Sequence, residues 1–263
     1  SYTLNFKDKK NGEHTVLISV TDSIGQTVTQ EYKIYYTKAE EGELIGYATF
    51  DIEAITINCG YIVEPIKVPI YEGENAAEAL VRLIQENGYD YTNTGTVESG
   101  FYLSAIVGAN ASRPGSATKE LNLENASMNE DLSDLSIEWR EGTEGQLGEF
   151  DYAQGSGWMY CLNNVFPNVG FADSYLSDGD VVRVQFTLAY GADIGGGHAM
   201  GGDDGVGKIR AVKDDLSTAI ATVNSAQNKE MLLANEEIKA AYEKANEVML
   251  DLPASQDTVD EAC

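Results

Sequence analysis

Two hydrophobic periods divide this sequence, and their order constrains the fold more than any single motif. As far as Leu188, apolar residues recur at every second position in short runs broken by Gly, Asn and Asp, the pattern of half-buried strands. After Gly205 they recur at every third or fourth position, the pattern of amphipathic helices. Sheet-forming sequence followed by helical sequence reads as an α+β chain.

The strands can be placed from parity and punctuation. His14, Val16, Ile18 and Val20 share one parity, and after Ser23-Ile24-Gly25 a second run carries Val28, Tyr32, Ile34 and Tyr36, which predicts a hairpin. Tyr2–Phe6 adds a third strand. Three strands are too few for a sandwich with covered edges, so this region either ends a repeated domain or extends the sheet of the next one. Beyond the acidic joint Ala39–Glu43, strands are expected at Ala54–Cys59 and Val63–Ile70. Asn75 then reads as the N-cap of a helix with Ala76, Ala77, Leu80, Val81, Leu83 and Ile84 on one face, stopped by Asn87-Gly88. Phe101–Val107, Trp158–Leu162 and Val181–Leu188 complete a ββαβ…ββ order, suited to a small sheet with one packed helix.

About fifty residues separate the third of these strands from Trp158, which is long for a plain connection. Gly108–Glu149 carries nine acidic and three basic residues, with Leu121, Leu123, Leu132, Leu135 and Ile137 as apolar content. A lid, an insertion or a disordered loop would each explain the length, and the composition favours a partly ordered, solvated acidic flap. Toward the C-terminus, Ile209, Val212, Leu216, Ile220 and Val223 form one helical stripe, and Ile238, Ala241, Tyr242, Ala245, Val248 and Met249 a second. They predict two antiparallel helices. Ser255, after Pro253, then N-caps a third helix that breaks off at Cys263. The resulting division is a β segment at 1–42, an α+β domain at 43–196 with its acidic insertion at 108–149, a glycine-rich hinge at 197–206 and a helical module at 207–263. A first residue of Ser running straight into strand sequence, and a last helix cut short, lead us to expect a monomeric fragment of a longer chain.

Charge and composition narrow the function. With 43 acidic residues against 17 basic ones the formal net charge is −26, which sets nucleic acid and anionic lipid aside as partners. No run reaches the roughly 20 apolar residues that span a bilayer, so direct membrane insertion is not expected. Two His, His14 and His198, in unrelated contexts make a His-based zinc site or a Ser-His-Asp relay improbable. Three Cys without CxxC spacing allow at most one disulfide, for which Cys59 and Cys161 are the candidates because both fall in predicted strands. In the segment Tyr190–Gly205, Asp193, Asp203 and Asp204 are weak calcium candidates whose spacing misses the EF-hand register, and a flexible hinge is the better reading. Paired carboxylates such as Glu130-Asp131 arise by chance in so acidic a chain. No catalytic constellation stands out, so a non-enzymatic role that requires no cofactor is expected.

The most distinctive stretch is Gly155-Ser156-Gly157-Trp158-Met159-Tyr160-Cys161-Leu162-Asn163-Asn164-Val165-Phe166-Pro167, followed by Ala172–Val182 with its Asp178-Gly179 turn. Trp158 and Tyr160 share one strand face, and Met159 and Cys161 the other. Large aromatics of this kind either fill a core or present a contact surface for flat ligands, sugars or protein. On the second reading Trp158, Tyr160, Phe166 and Tyr175 are the contacts, with Asn163, Asn164 and Asp173 as hydrogen-bonding neighbours.

Three resemblances accompany these patterns. The SGWMY…N…GD core, together with the strand, turn and helix at Val68–Leu83, resembles the bacterial transcobalamin-like C-terminal domain family, related to the β-domain of transcobalamin and intrinsic factor. That resemblance covers about residues 52–196 and implies a β-grasp-like sheet carrying one helix. It also implies a binding surface on the aromatic strand, with cobalamin or a related small molecule as candidate ligand. No α-barrel accompanies it, so a cobalamin site would be half of the usual clamp. Gly12–Gln26 resembles the last strands of the immunoglobulin-like repeats of bacterial surface proteins. Ala241–Ala262 resembles the FIVAR-type three-helix repeats of Gram-positive surface proteins, which act mainly as spacers or carbohydrate-associated modules. Together they imply an extracellular, cell-surface or cell-wall-attached binding module. The alternative is an adhesive or spacer module that contacts host protein or glycan.

Overall fold

The computed structural model describes residues 10–108, 123–127, 129–200 and 207–263. The chain forms two compact units, Ser1–Glu43 and Leu44–Cys263. In the first, β1 (Gly12–Thr21) and β2 (Thr27–Tyr36) pair antiparallel, Gly12 opposite Tyr36 and Thr21 opposite Thr27. The Asp22 side chain shapes the turn by accepting from the amides of Ile24 at 3.0 Å and Gln26 at 2.8 Å, and Gly25 takes the left-handed conformation. The third strand expected at Tyr2–Phe6 lies outside the described residues.

The second unit is mixed α+β. Its principal sheet has the order β4-β3-β9-β8, built from β3 (Leu44–Glu53), β4 (Tyr61–Tyr71), β8 (Gly157–Leu162) and β9 (Val181–Thr187). The central strands β3 and β9 run parallel, and each is flanked by an antiparallel neighbour. Between the two hairpins the chain forms α1 (Ala76–Glu86), then β5 (Asp90–Thr96) and β6 (Ser99–Val107), which with β7 (Gln146–Gly148) make a three-stranded sheet. Helix α1 starts at Asn75 with a capping box closed by Glu78 and ends at Asn87, as its sequence predicts.

Three expectations are corrected. Ala54–Cys59 is not a strand: Ile55–Ile57 is a 3-10 turn, Asn58 has φ of 57° and Gly60 φ of 76°, so this apolar run is the buried connection between β3 and β4. The strand lies earlier, at Leu44–Glu53, whose second half from Ala48 alternates apolar and polar residues. The acidic stretch is also more than a solvated flap. Beyond α2 (Leu123–Ser127), Leu132 and Leu147 are fully buried and β7 pairs with β6, while Leu121 lies outside the described residues. Finally, Ile209 is 99% exposed and Val212 is also exposed, because α3 begins only at Asp214 and runs to Asn224.

The sheet separates two unlike layers. Phe50, Ile52, Val182, Val184, Phe186, Trp158 and Tyr160 point to one face and join α1 and the second sheet in the main core. The opposite parity carries Thr49, Asp51 and Glu53 on β3 with Arg183 and Gln185 on β9, all buried. Helix α3 lies over this polar face. Ser217 donates to Asp51 Oδ2 at 2.6 Å, Asn224 donates to the Pro65 carbonyl at 2.8 Å, and Ser225 Oγ accepts from the Lys67 amide at 2.8 Å. Leu216 and Ile220 of α3 then join Tyr61 of β4, Ala245, Val248 and Met249 of α5 (Glu236–Leu250), and Val259 of α6 (Gln256–Ala262) in a second small core. The short α4 (Lys229–Leu233) links α3 to α5. Where the sequence suggests a module swinging on a hinge, the helices are built onto the sheet within one unit.

Glu53 binds Arg183 in a fork, Nε at 2.8 Å and Nη2 at 3.1 Å, and also accepts from Gln185 Nε2 at 2.9 Å. Burial opposes the charge on Glu53, but the guanidinium outweighs it and holds the carboxyl below its usual pKa. Asp51 sits beside this pair without a cation of its own, and burial followed by the Glu53 charge raises its pKa well above the ordinary range. Its Oδ1 is buried and meets no hydrogen-bond partner. Lys213 Nζ stands near by, donating to the carbonyls of Val248 at 2.9 Å, Met249 at 3.0 Å and Asp251 at 2.7 Å at the end of α5. Burial and then Arg183 lower its pKa to about 8.

Folded Asp51 therefore keeps a proton that the unfolded chain releases above its ordinary pKa. Its contribution is complete below that pKa and is lost as pH rises toward the raised folded value. Asp51→Asn, which resembles the protonated acid, is expected to stabilise the fold relative to the native chain. The difference should grow with pH, by at most about 1.4 kcal/mol per pH unit, between the ordinary carboxylate pKa and the raised folded one, and level off beyond it. Urea unfolding at pH 5, 6 and 7 measures it, and a pH-independent difference would refute a protonated Asp51.

Candidate functional site

Where β8 and β6 approach, the main core opens into a cleft of about 310 Å³. Phe101, Tyr102 and Leu103 of β6 form one side, Trp158, Met159 and Tyr160 of β8 another, and the connection Phe166–Phe171 with Ala199 closes the rest. Trp158, Tyr160 and Phe171 are held from behind. Trp158 meets Phe186 edge to face at 5.2 Å and donates its indole N–H to the Leu147 carbonyl at 3.0 Å. Tyr160 stacks on Phe171 at 4.0 Å, and its hydroxyl donates to the Val169 carbonyl at 3.0 Å and meets Ser174 Oγ at 2.7 Å. Phe171 in turn meets Phe101 edge on at 6.3 Å. Burial raises the pKa of Tyr160, and burial with the nearby Glu149 carboxylate pushes Tyr102 up to about 12, so both phenols stay neutral.

Of the residues singled out from sequence, Trp158, Tyr160 and Phe166 meet at this cleft. Their roles differ. Trp158 and Tyr160 are 4% and 7% exposed and belong to the core, whereas Phe166 is half-buried at the rim. Asn163 serves the turn instead: it takes a positive φ, donates to Asp180 at 2.8 Å and accepts from the Val181 amide at 3.0 Å. Asn164 lines a neighbouring depression with Phe166, His198, Lys208 and Arg210, whose two cations already pair with Asp134 and Asp131 at 2.6 Å. Asp173 is exposed in a 3-10 turn below the cleft, and Tyr175 is 66% exposed where its backbone bridges to Asn75, away from the cleft. Sequence reasoning misses Phe101, Tyr102, Met159 and Phe171. Only the alternation of Phe101 and Leu103 hints at them, and nothing local announces that β6 lies against β8.

The cysteine expectation is corrected by parity. No disulfide joins Cys59 and Cys161. Cys59 lies in the main core, its thiol donating to the Ile57 carbonyl at 3.3 Å, while Cys161 points to the opposite, polar face of the sheet, where burial pushes its pKa up to about 12. Cys263 is exposed. Asp193 is not available to calcium either: its carboxylate accepts from the Thr187 hydroxyl and from the Leu188 amide at 2.6 Å, and burial raises its pKa. Asp203 and Asp204 lie outside the described residues. Among the described residues, no group of three or more His, Cys, Asp or Glu side chains is placed to hold a metal ion, and no helix is long and apolar enough to cross a membrane.

Compared with known proteins, the sequence matches no family model, and no curated protein aligns with it significantly.

The different footing of the two kinds of aromatic is measurable. Trp158→Ala is expected to cost about 3–5 kcal/mol of unfolding free energy, as for a buried aromatic, and Phe166→Ala about 1 kcal/mol. Equal losses in denaturant titration would show that Phe166 is a core residue too.

Proposed function

We propose that this chain is a non-enzymatic, extracellular binding module of a bacterial surface protein, and that its ligand occupies the aromatic cleft between β6 and β8. The cleft itself carries this reading: a concave, mainly apolar site with rigidly supported rings and neutral phenols suits holding a ligand more than moving protons. The resemblance to transcobalamin-like domains makes cobalamin or a related small molecule the first candidate. A β-grasp-like sheet is supported by the order of hairpin, helix and hairpin with parallel central strands. The β1–β2 hairpin agrees with an immunoglobulin-like end. A FIVAR-like spacer has less support, because α3 is bonded to the sheet.

One observation favours the adhesive alternative. About 310 Å³ lies at the small end of ligand pockets, so the cleft takes one ring or side chain and leaves the body of a corrin outside. A protein side chain or a single sugar would fit equally.

Calorimetric titration of the full chain with cobalamin and with cobinamide, repeated on Phe166→Ala, decides between them. Saturable binding that weakens about tenfold in the variant is the outcome expected of a cleft ligand. No heat with either compound at millimolar concentration removes cobalamin and leaves the adhesive reading.

A further inference from the structure

The cleft meets its strands in an unusual way. Successive residues of a strand point to opposite faces, so a cavity lined by Trp158, Met159 and Tyr160 in turn reaches the main chain of β8 or its edge. The pairing gives the same result. The Asn163 amide donates to the Val181 carbonyl, so by alternation Cys161, Met159 and Gly157 direct their main chain to β9, while Trp158, Tyr160 and Leu162 direct theirs outward. The Leu162 amide is taken by the Val165 carbonyl. Among the described residues no main-chain partner meets the outward N–H and C=O groups of Trp158 and Tyr160. The opposite edge of the sheet is treated differently: β4 carries Pro65 and Pro69, and its Lys67 amide is capped by Ser225 Oγ at 2.8 Å.

We propose that the cleft is a slot for one neutral planar heterocycle bearing an adjacent in-plane N–H donor and carbonyl or ring acceptor, which pairs with the outward main chain of Trp158 or Tyr160. This rests on the reading of the cleft as a binding site and names the class of ligand it takes. The ring slides between apolar walls, Phe166 and Val169 on the connection and Phe101 and Leu103 on β6, and its polar edge replaces the missing neighbour strand. A donor and an acceptor from a single strand residue match a lactam edge as they match another peptide. Charge selects against anions: among the described residues the lining has no cation, exposed Glu149 lies by Tyr102, and the chain carries a net charge of −26.

The test uses the full, isotope-labelled chain and three small probes. Quinazolin-4(3H)-one has the lactam edge, its 3-methyl derivative lacks the donor, and naphthalene has neither donor nor acceptor. The expected result is saturable binding of the first, with the largest amide shifts at Trp158 or Tyr160, and binding weaker by about tenfold for the methylated probe, the worth of one hydrogen bond. Gly170→Val, which adds bulk at the cleft lining, should weaken binding without loss of fold. Gly170 has φ of −73° and ψ of 168°, which any residue adopts, and a Cβ there would meet only the Phe101 carbonyl at 3.5 Å and Asp173 at 4.0 Å. Equal binding of all three probes in the cleft would overturn the edge pairing and leave the cleft as a plain apolar site. Binding of none of them, with cobinamide also silent, would overturn this proposal and the small-molecule reading together.

Discussion

The second unit depends on one buried ion pair. Glu53 and Arg183 sit on the two central parallel strands and join them through a two-pronged contact from which water is excluded. Charges in such a place are tolerated only when every remaining lone pair and proton is met and both faces of the sheet are covered. Gln185 meets one need, and the rest of the chain meets the other. The apolar face is closed by α1 and the second sheet, the polar face by α3. Removing the helices would expose Asp51 and Glu53 to water and weaken the pair that aligns β3 with β9.

This demand explains why the C-terminal helices belong to the same body as the sheet although their sequence looks self-contained. An amphipathic stripe states only that a helix buries one side. What it buries against is set here by small polar groups, Ser217, Asn224 and Ser225, each matched to a specific atom of β3 or β4. Lys213 adds a second tie, holding the end of α5 by three carbonyls.

What is legible in the sequence follows the same logic. Helix α1 and the β1–β2 turn are readable because their signals are local: Asn75 with Glu78, and Asp22 with Gly25. Strand β8 can be placed within one residue, and the shared face of Trp158 and Tyr160 follows from parity alone. Leu44–Glu53 escapes notice because two carboxylates in a strand look solvated, and only Arg183, far along the chain, makes them fit for burial. Ala54–Cys59 misleads in the other direction, since a buried turn and a buried strand have the same composition. The cleft is half legible. Its β8 wall can be named, but its β6 wall depends on how two sheets meet, which no short-range pattern encodes.

The parallel pairing of β3 with β9 also has a consequence in time. The two halves of its ion pair stand 130 positions apart, so the strand made first has no central neighbour until nearly the whole sheet sequence has been synthesised. The β3–β4 hairpin and α1 can form early, yet the two acids of β3 then face solvent, and their repulsion disfavours premature collapse of that face. Assembly of this unit is in that sense gated by its last strand, and a nascent chain stopped before Arg183 has no means of closing its core.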